Sequence, residues 1–235
     1  MGMGRAGTMG RQPKDILSGE SVRDKSNQEV NPIQDILSKY YPDFILHNDE
    51  EENIPHGIRL IEGFIFYALC RHFKVNLIIE SGIRNGKSTA IWGRCWTNIP
   101  IVSIDCMLNP ATASGLSVYQ NITLLRADSL RLLPYLVEQN ADKRCGVFID
   151  GPKGSLALRL AAQCLSHDNV CVVGVHDVKN RGYETAETLF NLLNASKFTA
   201  DDPLIYKHWM KRFYKDVPEI INSAVYAFKD WDHAE

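Results

Sequence analysis

The sequence predicts an α/β protein built on a doubly wound, mainly parallel sheet, and three observations carry that expectation. Short apolar runs alternate with segments of helical periodicity along most of the chain, the pattern of a parallel sheet covered by helices on both faces. Five successive apolar runs end on or beside an acidic residue. The first of them leads into Glu80-Ser81-Gly82-Ile83-Arg84-Asn85-Gly86-Lys87-Ser88-Thr89, a strand that ends on a carboxylate, turns through two glycines and opens a helix.

Taken in order, residues 1 to about 30 are polar and poor in large apolar side chains, so they bury too little surface to offset the entropy of ordering. Ile33, Ile36, Leu37 and Tyr40 share one face of a short helix over Ile33 to Tyr41. A flexible extension over residues 1–45 is therefore expected before a domain over 46–235. The acidic run Asp49 to Glu52 reads as a solvated loop. Pro55 suits a first helical turn, and Ile58, Ile61, Phe64, Ile65, Ala68 and Leu69 recur at helical spacing up to Phe73.

Strands are expected at Leu77 to Glu80, Ile101 to Asp105, Ile122 to Leu125, Val147 to Asp150 and Val170 to Val175. Helices are expected at Ser88 to Trp96, Ser129 to Gln139, Leu156 to Leu165 and Glu184 to Asn194. Right-handed crossovers between such strands give the doubly wound arrangement. Pro203 to Tyr206 and Ser223 to Phe228 read as a last hairpin, which would add one antiparallel strand. His208, Trp209, Arg212 and Tyr214 lie between them, either at the mouth of a site or at a surface or dimer contact.

The 235 residues suffice for one sizeable core, with 45% hydrophobic and 23% charged side chains. A net charge of -2 gives no ground for broad nucleic-acid binding. No run has the length of a membrane span, and the start carries no signal peptide. Cys70, Cys95, Cys106, Cys145, Cys164 and Cys171 form no CxxC pair and suit buried thiols in a reducing compartment. A cytoplasmic protein is expected.

The glycine corner almost spells a nucleotide-triphosphate loop. That loop needs four residues between its glycines before Lys-Ser/Thr, whereas Ile83, Arg84 and Asn85 are three. A shorter ring of N–H groups does not close around a phosphate, and Glu80 would repel one. A nucleoside-binding corner fits better, with a plain packing corner as the bland alternative.

Ligands on doubly wound sheets bind outside the carboxyl ends of the strands. Glu80, Asp105, Asp128, Asp150 and Asp177 stand at those ends in succession, with His176 before Asp177. Asp105 lies 23 residues after Gly82, near the roughly 20-residue offset of an acid that receives ribose hydroxyls. It could equally be a cap or loop charge. Asp128 with Ser129 caps the next helix or meets the base of the ligand. Gly82 and Gly86 permit close approach of backbone to ligand. Asp150, His176 and Asp177 could hold a divalent cation, present His176 as a general base, or form a hydrogen-bonded cluster without metal.

These residues resemble class I S-adenosylmethionine (SAM)-dependent methyltransferases, most closely the branch of cephalosporin hydroxylase-like proteins and small-molecule O-methyltransferases. The branch's Glu-x-Gly-x-x-x-Gly-x-Ser is matched by Glu80, Gly82, Gly86 and Ser88, and its small residue and Trp by Ala90 and Trp92. Ile104-Asp105, Asn121 to Leu124, Phe148 to Gly151, Asp177 and Glu62-Gly63 also fall in the family's order. The resemblance covers about residues 54 to 230. It implies a Rossmann-like, seven-stranded mixed sheet with helices on both faces and the last strand antiparallel. It implies SAM over the first two strands, in contact with Glu80, Gly82, Arg84, Gly86, Ser88, Asp105, Asp128 and Ser129. Many relatives carry magnesium at the fourth and fifth strand ends, here Asp150 and Asp177.

The departures are Lys87 in place of a small residue, Arg84 as a second cation near the cofactor tail, Ser81 after Glu80, and His176-Asp177 where relatives often have two acids. The expected activity is methyl transfer to an oxygen of a small molecule or sugar, with Asp150, His176 and Asp177 as catalytic residues. A non-catalytic protein with this fold and a phosphate-handling enzyme using Lys87 and Arg84 are the alternatives.

Overall fold

In the computed structural model, residues 32–48, 57–178, 195–199, 208–209, 211–213 and 225–229 are described. The elements are α1 (Pro32–His47), α2 (Leu60–His72), β1 (Leu77–Ser81), α3 (Lys87–Cys95), β2 (Ile101–Asp105), α4 (Pro110–Leu116) and β3 (Ile122–Arg126). They continue with α5 (Ser129–Gln139), β4 (Cys145–Ile149), α6 (Ser155–Leu165), β5 (Val170–Val175), β6 (Ala195–Thr199) and β7 (Val225–Lys229). The strand order is β3-β2-β1-β4-β5-β7-β6. β1 to β5 run parallel, while β7 pairs antiparallel with both β5 and β6.

Side chains alternate across the strands, and the two faces bury different layers. Ile78, Phe148 and Val172 pack with α1, α2 and α3. Leu77, Ile79, Val147, Ile149, Val173 and Val175 pack with α5 and α6. β1, β4 and β5 are buried throughout, as strands covered on both faces must be.

Helix α1 is longer than expected, and the boundary placed at residue 45 falls inside it. Leu37 and Phe44 are fully buried against the α2 cluster, so this helix belongs to the core rather than to an extension. Helix α2 starts at Leu60. The segment over residues 49–56, with the expected acidic loop and Pro55, lies outside the described residues. So do residues 1–31, the expected helix Glu184 to Asn194 and the expected strand Pro203 to Tyr206.

Trp209 is not at a mouth. It is fully buried, with ring centroids 5.2 Å from Tyr41 and 5.1 Å from Phe64, and its Nε1–H donates to Gln34 Oε1 at 2.8 Å. Arg212 lies over the Tyr41 and Trp209 rings. Tyr214 lies outside the described residues. Among the described residues, no helix is long and apolar enough to cross a membrane.

A candidate active site at the carboxyl ends of the strands

Alternation along β1 decides where Glu80 goes. Ile78 faces α2 and α3, so Glu80, two residues on, faces the same way. It is fully buried. Its Oε2 accepts from Thr89 Oγ1 at 2.6 Å and from Ser103 Oγ at 2.7 Å, and its Oε1 accepts from Trp92 Nε1 at 3.1 Å. Burial pushes this carboxyl up, against hydrogen bonds from Ser88, Thr89 and Ser103. The expectation that Glu80 shares a cleft with Asp105 is therefore corrected. Glu80 ties α3 to the sheet, and the buried Ser88 belongs to the same tie.

Asp105 shapes the loop after β1. Its Oδ2 accepts from the backbone N–H groups of Ile83 at 2.8 Å and Arg84 at 2.9 Å, and its Oδ1 from Met107 N–H at 2.8 Å. Two of the N–H groups that would circle a phosphate are thus turned onto a carboxylate. The stem of Lys87 packs by Gly57. No triphosphate cradle forms here. Arg84 is exposed at φ 46. Gly86, at φ 78, opens α3 and packs closely on Thr112 and Leu116, so its role is in the loop's packing.

Gly82, Asp105, Asp128 and Ser129 come together as expected, in a cleft of about 200 Å³. Ile104, Cys106, Leu130, Gly151 and Pro152 complete its wall. Asp128 also caps α5 through Leu130 N–H at 3.0 Å, so cap and cleft wall are one residue. Cys106 is the exposed thiol, and the other five cysteines are buried. Burial pushes Cys95, Cys145 and Cys164 up to about 12, which leaves them as packing groups.

Beside this cleft, past Gly151, the ends of β4 and β5 carry a second constellation. His176 Nδ1 lies 2.9 Å from Asp150 Oδ1 and 3.4 Å from Asp177 Oδ2, and its Nε2 lies 3.4 Å from Glu62 Oε2. The convergence of Asp150, His176 and Asp177 follows from their adjacent strands. Two further members went unassigned in the sequence. Lys153 Nζ contacts Asp150 Oδ1 and lies 2.8 Å from Asp177 Oδ2. Glu62, fully buried in α2, also accepts from Arg59 N–H at 2.6 Å. The signals were present: Lys153 follows Asp150 on one tight turn, and Glu62 is the acid within the mainly apolar, buried run Leu60 to Cys70 of α2.

The charges settle each other. Burial disfavours a charge on His176, but hydrogen bonds from it to Asp150, Asp177 and Glu62 outweigh that and push the ring up to about 11. Both ring nitrogens lie within 3.4 Å of carboxylates, an arrangement that favours the charged ring. Burial would raise Asp150, yet His176 and Lys153 hold it below the usual carboxylate value. Asp177 is held well below it, chiefly by His176.

One ligand atom from each of Asp150, His176 and Asp177 lies within 4.8 Å of the others, close enough for one ion to touch all three. Their chemistry does not fit magnesium, which takes oxygen ligands in strict octahedral geometry. One of the three ligand residues offers a ring nitrogen rather than an oxygen, and Lys153 Nζ stands among them, 3.4 Å from that nitrogen.

No protein-family model matches the chain, and no curated protein matches it in sequence. Solved structures do match in fold. The O-methyltransferase TomG of Streptomyces achromogenes, involved in tomaymycin synthesis and solved in complex with SAM, is 16% identical with a TM-score of 0.50, over 83% of this chain and 89% of its own. A SAM-dependent O-methyltransferase of Thermotoga maritima is 13% identical with a TM-score of 0.53, over 85% of this chain and 73% of its own. The chain thus has the α/β, Rossmann-like fold of SAM-dependent O-methyltransferases.

Proposed function

We propose that the protein is a SAM-dependent methyltransferase acting on an oxygen of a small molecule or sugar. One observation carries this reading: a cleft lined by Gly82, Asp105, Asp128 and Ser129 adjoins, at Gly151, a cluster of charged side chains. That juxtaposition supports a nucleoside end beside a reacting end on the fold that such enzymes share.

When bound, SAM supplies a methyl group on a sulfonium. The chain's residues hold and orient. Gly82 and Gly151 bring bare backbone to the cleft wall. Asp105 retains lone pairs for hydroxyls beyond the three N–H groups it accepts. At the other end Lys153 carries three donors, of which Asp150 and Asp177 engage two. The charge of Lys153, 30% exposed at the side chain, would favour the negative charge that develops on an acceptor oxygen as that oxygen's proton leaves to solvent. His176 keeps Asp150 ionised and in place. The phosphate-handling alternative has no support in the loop geometry.

Isothermal titration with S-adenosylhomocysteine and with ATP tests the cofactor, and product formation from labelled SAM over a panel of hydroxylated acceptors tests catalysis. S-adenosylhomocysteine should bind and ATP should not. Asp105→Asn should weaken that binding at least about tenfold, since a lost charge-assisted hydrogen bond costs about 1.5–3 kcal/mol. Unchanged affinity in the folded variant removes Asp105 from the cofactor site.

A further inference from the structure

We propose that Lys153 is the built-in cation of this site, standing where a divalent metal would stand between Asp150 and Asp177, so that the protein binds no such metal there. Lys153 Nζ contacts Asp150 Oδ1 and lies 2.8 Å from Asp177 Oδ2 and 3.4 Å from His176 Nδ1. Asp150, His176 and Asp177 are also the three residues of the one possible metal-holding group among the described residues. The ammonium and an ion therefore compete for one space.

Geometry and chemistry both favour the lysine. Asp150 directly follows the central strand β4, and Lys153 comes three residues later on the turn into α6. The turn that delivers the first ligand thus delivers its competitor, at the high effective concentration of a tethered group. Asp150 is largely buried and Lys153 and Asp177 are about two-thirds buried, so displacing the ammonium would leave a cation to be accommodated nearby. Glu62, behind His176, is fully buried and engaged with Arg59 N–H, so it does not complete an oxygen shell in the space Lys153 occupies. The inference rests on the methyl-transfer reading only for what the ammonium faces, the acceptor oxygen.

The test uses the full chain, stripped with a chelator and titrated with manganese alone, with free manganese followed by electron paramagnetic resonance. Wild type should leave one equivalent of manganese free. Lys153→Met and Lys153→Gln remove the charge and shorten the side chain by one atom. Each should bind manganese about a hundredfold more tightly or better, as expected from deleting a positive charge one ligand distance away. Adding Asp150→Asn to either should abolish the gain. Titration with S-adenosylhomocysteine shows that each variant is folded and tests the cofactor reading separately. Tight uptake of one equivalent by wild type overturns the proposal, and so does uptake by neither lysine variant.

Discussion

Glu80→Ala is expected to lower stability by about 3–5 kcal/mol, one of the largest single-residue losses in the chain. The alanine would strand the donors of Thr89, Ser103 and Trp92, all fully buried, and each buried donor without an acceptor costs about 1–3 kcal/mol. Glu80→Gln keeps an acceptor and the volume, and the two hydroxyls can turn to accept from its amide, so its cost should be far smaller. The pH dependence separates the two further. Burial raises the folded carboxyl above its ordinary 4.5, so the unfolded chain releases that proton first as pH rises. The folded state therefore loses stability from pH 4.5 upward until its own raised value is passed. Glu80→Gln should lack that decline. Urea unfolding of the three proteins across this range decides the matter, and an alanine variant within 1 kcal/mol of wild type, about the ordinary cost of a surface change or less, sinks the structural role.

Much of the sheet was legible because both periods were clean. β2 and β5 run as expected, and β1, β3 and β4 are shifted by no more than two residues. α5 coincides with its expected span and α6 starts one residue earlier. What escaped notice had little periodic signal. α4 is seven residues long and announces itself only by Asn109 as cap and Pro110 at its start. β6, Ala-Ser-Lys-Phe-Thr, holds one large apolar residue and no alternation. α1 continues through Pro42, where a proline reads as a stop.

The site was legible by position and less so by direction. That Asp105, Asp128 and Ser129 would meet Gly82 follows from strand order alone. The direction of Glu80 needed the period-two rule applied to Ile78, and the order of the carboxyl ends concealed it. The role of Lys153 depended on a tertiary fact, that Asp177 of the neighbouring strand approaches the same ammonium. His176 reads as a base in isolation. The carboxylates on both sides of its ring, one of them from α2, favour its charged form.

Gly82→Ala is expected to abolish S-adenosylhomocysteine binding and to destabilise the fold by about 2–4 kcal/mol, combining left-handed backbone strain with a clash. Gly82 has φ 92, and a Cβ there would lie 2.6 Å from Gly151 N and 2.9 Å from the carbonyl carbon of Asp150. Those atoms are backbone, so the turn after β4 must move off β1. That seam is where the proposed cofactor end meets the reacting end. Two other glycines calibrate the effect. Gly86, φ 78, would meet only side chains, Thr112 at 3.0 Å and Leu116 at 3.1 Å, which can yield, so Gly86→Ala should weaken binding less. Gly115 has nothing within 4 Å and lies in α4, where alanine gains about 0.5–1 kcal/mol over glycine. Calorimetry on the three variants should rank them Gly82, Gly86, Gly115 in loss of affinity. If Gly82→Ala instead binds S-adenosylhomocysteine as wild type does, the ligand does not lie at the seam, and the cleft has another occupant.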